Sequence, residues 1–266
     1  MPLINGISKM VEKNTPKVWD KFYERAISKK EDEYFLEYHR KTNLWKITKE
    51  KIIKEFGSFK GLKSIEIGAG EAYDSLLFAM EGADVTVLDQ SANALKTSKI
   101  LFKRYGYKAK FIQMDALNLA KKLFSKFDVS MSYGTVEHFI GKNRIKIFQS
   151  HFDVLKKGGI TWICLPNKWN LIYRLWKFLS ETFNRWQFGE EYPFSRSELR
   201  KIGKEIGQEF EIIGGYLFFT HFQFKRRIRK LLGKSPNYDV SILKQQIGTP
   251  LDKYLSYEFA VFGKKV

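Results

Sequence analysis

Cysteine is almost missing: Cys164 is the only one in 266 residues. No disulfide can close within the chain, and no multi-thiolate zinc site can form. Proline is sparse at six, so few breaks are imposed on regular structure. Acid is short relative to base, with 29 Asp and Glu against 47 Lys and Arg, a net charge of +18 and a pI near 9.7. Such a surface attracts polyanions, whether nucleic acid, acidic lipid headgroups or phosphorylated substrates, although a solvated basic face gives the same count. Long apolar runs are also lacking, and residues 1–17 hold none that would serve as a signal peptide or membrane span. The expectation is a cytoplasmic protein in a reducing compartment. What remains is a globular composition, 44% apolar and 16% aromatic with mean hydropathy −0.35, on a chain long enough for one sizeable core.

From Leu62 onward, short β-branched runs alternate with helical patterns, which is the signature of βαβ units and a parallel sheet. Strands are predicted near 63–67, 83–88, 109–114, 127–132 and 159–165, with helices near 73–80, 92–105 and 142–155 between them. The run KKGG at 156–159 reads as a helix stop, with basic residues in the last turn and glycine after it. A helix near 196–206, opened by a Ser195–Glu198 capping box, and strands near 209–217 and 257–262 follow. Three segments stand outside the alternation. Residues 1–60 are helical, charged and aromatic; 168–194 are dense in aromatics; 218–250 carry the basic run FKRRIRKLLGK. The predicted organisation is a helical N-terminal cap over 1–60 and one α/β domain over 61–266. Insertions at about 168–194 and 218–250 fall where they can act as lids beyond the carboxyl ends of the strands.

The stretch LKSIEIGAGEAYDSLLFAMEGADVTVLDQS, residues 62–91, carries the chemistry. After the strand SIEI the chain runs Gly68-Ala69-Gly70 into a helix, which lets the backbone turn sharply and a ligand approach without a Cβ in the way. The next strand ends in Asp89, followed by Gln90, and a carboxylate at that tip can accept both hydroxyls of a ribose. The dinucleotide fingerprint fails, because Tyr73 stands where a third glycine is needed, and no P-loop occurs. Glu66, at the end of the first strand, would repel phosphate but suits a cationic amine.

This combination resembles the class I S-adenosylmethionine-dependent methyltransferases, in particular the small-molecule group related to the ubiquinone and menaquinone enzymes. The resemblance is clear over roughly residues 60–165. It implies a Rossmann-like, mostly parallel seven-stranded sheet with helices on both faces and the last strand antiparallel, and S-adenosylmethionine as cofactor. By that resemblance EIGAGEA places Glu66 near the methionine amine and Gly68, Ala69 and Gly70 under the cofactor, with Asp89 and Gln90 at the ribose. QMDAL places Asp115 and Ala116 along the adenine. FDVSMSYGTVEHF puts Ser132 and Tyr133 beside the cofactor at the fourth strand's end, and WDKFYE brings Tyr23 of the cap toward the sulfonium, with plain packing of the amphipathic helix on the domain as the competing role. Ala72, where many relatives have glycine, reads as a mild departure. Some quinone O-methyltransferases carry E-x-x-E-H, thought to hold a metal. Here Gly134 replaces the first acid, so Glu137 and His138 alone leave too few ligands and no metal is expected.

Methyl transfer is an in-line displacement from a sulfonium, so alignment and water exclusion dominate, with a base where the nucleophile carries a proton. His138 and Glu137, just past the fourth strand, are the predicted catalytic pair, and an ordinary imidazole pKa suits a base. Packing at a helix start is the competing role for His138. His39, His151 and His221 sit in no motif, and packed or solvated roles are expected for them; Cys164 reads as core. The tetrapeptides N-P-P-Y and D-P-P-Y are absent, as is a Pro-Cys pair for attack on cytosine, which counts against the best-marked nucleic-acid enzymes despite the charge. Apolar and basic residues interleave in WNLIYRLWKFL and HFQFKRRIRKLLGK, a pattern compatible with peripheral contact at an anionic membrane and equally with an ordinary helix covering the sheet. The predicted acceptor is therefore a small or lipid-like molecule with an O, N or C nucleophile. An RNA or DNA methyltransferase and a non-catalytic cofactor-binding subunit are the alternatives.

Overall fold

Every strand expected from the hydrophobic pattern joins one sheet. In a computed structural model, residues 15–25, 27–184, 186–215 and 238–266 are described. In chain order the main elements are α1 (Pro16–Phe22), α2 (Lys29–Arg40), α3 (Asn43–Phe56), β1 (Lys63–Ile67), α4 (Tyr73–Met80), β2 (Asp84–Asp89), α5 (Ala92–Tyr105) and β3 (Lys110–Gln113). They continue with β4 (Phe127–Tyr133), α6 (Gly141–Asp153), β5 (Leu155–Pro166), α7 (Leu171–Thr182), α8 (Arg196–Glu205), β6 (Glu211–Gly214), α9 (Asp252–Leu255) and β7 (Glu258–Lys264). The sheet order is β3-β2-β1-β4-β5-β7-β6, with β7 antiparallel to both neighbours and the first five strands parallel. This is the Rossmann-like arrangement expected, and its switch point lies between β1 and β4, where ligands bind beyond the carboxyl ends.

Side chains alternate across the strands and divide the core into two layers. On one face Val85, Val87, Val129, Met131 and Trp162 pack under α3, α4 and α5; on the other Ile65, Ile67, Ile163 and Leu165 pack under α6 and α8. Phe78 is fully buried among Trp45, Phe59 and Trp162, and truncating such a ring costs about 3–5 kcal/mol. Helix starts are fixed by side-chain caps. Ser28, Thr42, Ser91, Asn170 and Ser195 each accept a backbone N–H from the first turn. At α8 half of the expected capping box forms: Ser195 Oγ accepts from Glu198 N at 3.2 Å, while the Glu198 carboxylate turns to Arg144 Nε at 2.9 Å.

Two expectations need correction. KKGG does not close a helix: α6 stops at Asp153 and β5 already begins at Leu155, pairing with Phe127. A bulge then resumes the ladder at Ile160, opposite Val129. Asp128 explains the extra residues, since its carboxylate accepts from Lys63 N at 2.8 Å and from Lys156 Nζ at 2.6 Å and holds the kink. Gly159 meets the carbonyls of Asp128 and Lys156, where a Cβ would sit 3.0 Å from each. The strand predicted over 209–217 is the shorter Glu211–Gly214, and residues 216–217 lie outside the described residues. The basic run FKRRIRKLLGK and His221 also lie outside them. Among the described residues no helix is long and apolar enough to cross a membrane.

Before β1, α1 to α3 lie against the domain. Asp20 of α1 accepts from Ser91 Oγ at 2.6 Å, which ties α1 to the start of α5. Asp32 of α2 accepts from the Tyr73 hydroxyl at 2.9 Å and pairs with Arg104. After β5 the chain leaves the sheet for α7 and returns through a bridge between Asn167 and Phe194.

Candidate active site

The loop after β1 is held from below by β2. Gly68 N and Ala69 N both donate to Leu88 O, at 2.8 and 3.1 Å. Gly68 and Gly70 adopt φ of +70° and +55°, a region that disfavours side chains. A Cβ at Gly68 would collide with Thr135, and one at Gly70 with the Tyr23 hydroxyl. The bare backbone is therefore met by two of the protein's own side chains, and the Tyr23 hydroxyl lies against Gly70. Ala72, at φ +62°, begins α4 in the left-handed region, so its mild departure from glycine carries strain of about 1–2 kcal/mol.

Asp89 fastens the loop to the tip of β2. Its Oδ2 accepts from Gly70 N at 2.9 Å and its Oδ1 from Ser91 N at 2.8 Å, and the Gln90 backbone adds a third hydrogen bond to the carboxylate. Glu66, 2% exposed, accepts from Ser75 N at 3.0 Å in the first turn of α4. Burial, then Asp74, pushes its pKa up to about 8. Gln90, Asp115 and Ala116 continue the wall beyond β2 and β3, and Asp115 is shaped by Leu117 N at 2.9 Å and Asn118 Nδ2 at 2.7 Å. Ser132 is the exception: it is buried and does not line the cleft, whereas the neighbouring Tyr133 does.

These residues share one cleft of about 1740 Å³. Its far end is built by the turn after β4 and by the segment after α7. Tyr133 Oη donates to Glu258 at 2.8 Å, and Tyr173 Oη donates to Glu191 at 2.7 Å. His138 Nδ1 lies 2.8 Å from Glu190 O, and the Trp19 ring meets the imidazole edge-on at 4.9 Å. Phe22 contacts Phe188, and Phe188 contacts Trp186, so α1 and the segment after α7 close the cleft together. Glu137 and His138 thus stand together at this end, as expected. The ordinary imidazole titration expected of His138 does not hold, since burial lowers it to about 4, while burial and then Glu191 raise Glu137 well above the carboxylate range. Of the two, Glu137 is the stronger proton acceptor.

Residues 65–159 match the methyltransferase domain family. That match covers 95 of the 266 residues, from 65 to 159 inclusive. An uncharacterised methyltransferase of Bacillus subtilis, YbaJ, is 29% identical over 105 residues, a stretch that spans 40% of this chain and 40% of that protein. The magnesium protoporphyrin IX methyltransferase of Synechocystis, solved with bound S-adenosylhomocysteine, superposes with a TM-score of 0.57 at 13% identity, over 94% of this chain and 93% of that one. A possible histamine N-methyltransferase of Thermotoga maritima gives 0.58 at 15% identity, over 95% and 100%. At such identities the solved structures establish the fold, and the finer likeness to the quinone enzymes rests on the motifs alone.

The cleft also holds residues that the sequence did not mark. His39 of α2 lines it, with Nδ1 3.0 Å from Asp74 Oδ2 and its ring 5.1 Å from that of Tyr133. Burial opposes its protonation, but Asp74 outweighs burial and the pKa lies above that of an ordinary imidazole. Glu191, Glu258 and Thr135 were missed as well. His39 and Asp74 lie 35 residues apart, Tyr133 and Glu258 lie 125 apart, and no local spacing signals either pair. Among the described residues, the atoms of Glu137, His138 and Glu191 lie within 4.8 Å of one another, a third group that two-ligand reasoning from the sequence had not supplied. His151, by contrast, is buried outside the cleft, as a packed histidine would be.

Proposed function

We propose that the protein transfers a methyl group from S-adenosylmethionine to a nucleophile on a small or lipid-like acceptor. The observation that carries this is the placement of the Gly68–Gly70 loop and Asp89 at the switch point of a methyltransferase domain, with an aromatic-roofed cleft running on toward Glu137 and His138. The residues present fit the cofactor. Asp89 presents its carboxylate at the tip of β2, where a ribose hydroxyl can reach it, and Glu66 is a buried carboxyl for which a methionine ammonium is the natural counter-charge. Asp115 and Ala116 line the adenine end, and Tyr23 lies over the loop beside the sulfonium position. The bound cofactor supplies an electrophilic methyl. The chain's own part is to close α1 over the loop, exclude water with Trp19, Phe22 and Phe188, and present Glu137 and His138 to the nucleophile.

Two further observations favour a lipid-like acceptor over a polyanion. Among the described residues the cleft is lined by nine carboxylates against two permanent cations, Lys21 and Arg25, which opposes entry of a phosphate backbone. Helix α7 turns Tyr173, Trp176 and Ser180 inward, while Leu171, Leu175 and Phe178, 80%, 59% and 63% exposed, form an outward stripe. Trp169, Tyr254 and Leu255 extend that apolar face, with Lys168, Arg174 and Lys253 exposed around it. Such a face fits the surface of an anionic bilayer, a peripheral site from which a lipidic acceptor reaches the cleft.

Calorimetric titration with S-adenosylhomocysteine tests the core of the proposal. The expected result is micromolar binding to the native protein that is lost in Asp89→Ala. A folded protein that does not bind would remove the activity.

A further inference from the structure

Behind the acceptor end of the cleft, one arginine reaches three separate parts of the chain. Arg144, near the start of α6, has a side chain only 11% exposed and does not itself line the cleft. Its Nη1 donates to Phe139 O at 3.4 Å, in the turn after β4. Its Nη2 donates to Tyr192 O at 2.8 Å and Pro193 O at 3.4 Å, in the segment after α7. Nε pairs with Glu198 of α8 at 2.9 Å, and Cζ lies 3.5 Å over the centre of the Phe194 ring. That ring is a fixed platform, because Phe194 is fully buried and its N–H donates to Pro166 O at the end of β5, at 2.9 Å. Burial opposes the charge on Arg144, while Glu198 and then Glu137 favour it. A side chain placed there to fill space would not need five donors. A planar guanidinium can hold carbonyls of two segments at once while stacking on a ring.

Resting on the methyltransferase reading, we propose that Arg144 is a positioning residue for the acceptor end. It latches residues 190–193 onto the turn after β4 and so fixes where Glu137 and His138 stand. The two segments also meet directly. Tyr192 N donates to Glu137 O at 2.8 Å, and His138 Nδ1 lies 2.8 Å from Glu190 O. Both contacts adjoin carbonyls that Arg144 holds, since Tyr192 is common to the two sets and Phe139 follows His138. A carbonyl only accepts, so Nδ1 must carry the imidazole proton, and the latch selects that tautomer. A neutral imidazole free in water prefers its proton on Nε2. Arg144 therefore decides, without touching the ring, which nitrogen of His138 keeps its lone pair. The cofactor loop stands apart from this device. Gly68, Ala69 and Gly70 are held by Leu88 O and Asp89, at the tip of β2.

The test reads the His138 ring by nitrogen NMR of isotope-labelled protein at pH 7, with His138→Gln assigning its signals. Burial keeps the ring neutral there, and the native protein should show the proton on Nδ1. Arg144→Ala should shift the ring to the tautomer mixture of free imidazole, with Nε2–H in the majority. Its affinity for S-adenosylhomocysteine should stay within about twofold of native, as expected of a distant site. Arg144→Lys keeps the charge and most of the stem over Phe194, but a single ammonium cannot span both segments, so the same shift is expected. The lysine variant decides the question if Arg144→Ala fails to fold. Guanidinium chloride below denaturing concentration should restore the native signal in Arg144→Ala, whereas ammonium chloride should not. A native ring signal in a folded Arg144→Ala or Arg144→Lys protein overturns the proposal, leaving Arg144 a packing residue. So does a shift accompanied by an equal loss of S-adenosylhomocysteine affinity, which marks general loosening. A native protein that does not bind S-adenosylhomocysteine removes the methyltransferase reading, while the latch still stands or falls on the imidazole signal, so the two failures are distinguishable.

Discussion

Cofactor binding should release a proton, and Glu66 sets how many. The carboxyl is 2% exposed beside Asp74 and titrates near 8, so at pH 7 about nine-tenths of the protein holds it protonated. A methionine ammonium placed against it returns the group to the charged form. Binding at pH 7 then bears about one pKa unit, about 1.4 kcal/mol, and releases about 0.9 proton. The dissociation constant for S-adenosylhomocysteine should fall about tenfold per pH unit from pH 6 to pH 8 and level off above. The sign agrees with stability. Below the ordinary carboxylate range the group is protonated in folded and unfolded chains alike; as pH rises toward 8 only the unfolded chain ionises freely, so the ligand-free fold loses stability. Thermal shifts on ligand addition should therefore grow with pH. Calorimetry in two buffers of different ionisation enthalpy measures the released proton directly. Glu66→Gln keeps an acceptor for Ser75 N and should bind without proton release and without pH dependence. Proton-neutral binding by the native protein at pH 7, or an unchanged pH profile in the variant, would refute the reasoning.

Other substitutions probe the rest of the site. His138→Ala should leave S-adenosylhomocysteine affinity nearly unchanged and lower turnover about tenfold or more; because burial keeps the imidazole neutral down to about pH 4, its contribution should stay flat between pH 5 and 8, and a full-speed variant removes it from the chemistry. Gly70→Ala should destabilise the fold by about 1–2 kcal/mol through its positive φ and its collision with Tyr23; Tyr23→Phe, which lacks the hydroxyl, should restore part of the loss in a thermal melt. Replacing Leu171, Leu175 and Phe178 together with serine should abolish co-sedimentation with anionic liposomes at low salt while cofactor binding persists, and retained sedimentation would place the membrane contact elsewhere.

The elements legible in the sequence are those whose signals are local. The helices at 73–80 and 92–105 occur with the predicted bounds, because glycine and serine punctuate strands buried on both faces. The glycine loop, Asp89 and the Glu137–His138 pair were legible for the same reason: each lies at a strand's carboxyl end, one turn from a recognisable motif. The start of β5 was not, since Asp128 makes a strand out of a sequence with the residues of a helix stop. His39, Glu191 and Glu258 were also hidden, because each reaches the cleft from an element remote in sequence and alone carries no motif. The titration of His138 was misjudged for a similar reason, since its burial depends on Trp19 and on the segment around Glu190.

The order in which β6 and β7 leave the ribosome has a consequence for synthesis. β6 emerges first, yet among the described strands it pairs only with β7, and β5 also waits for β7 along its outer edge. Until residues 258–264 are free, the nascent domain exposes one unpaired strand edge and one strand with no partner. That interval is the one in which strand edges pair wrongly or recruit a neighbouring chain. Completion falls to a short segment, EFAVFGK, whose Gly263 sits against Phe152 where a side chain would not fit. Mutations there should depress the yield of soluble protein more than they depress the melting temperature of the molecules that do fold.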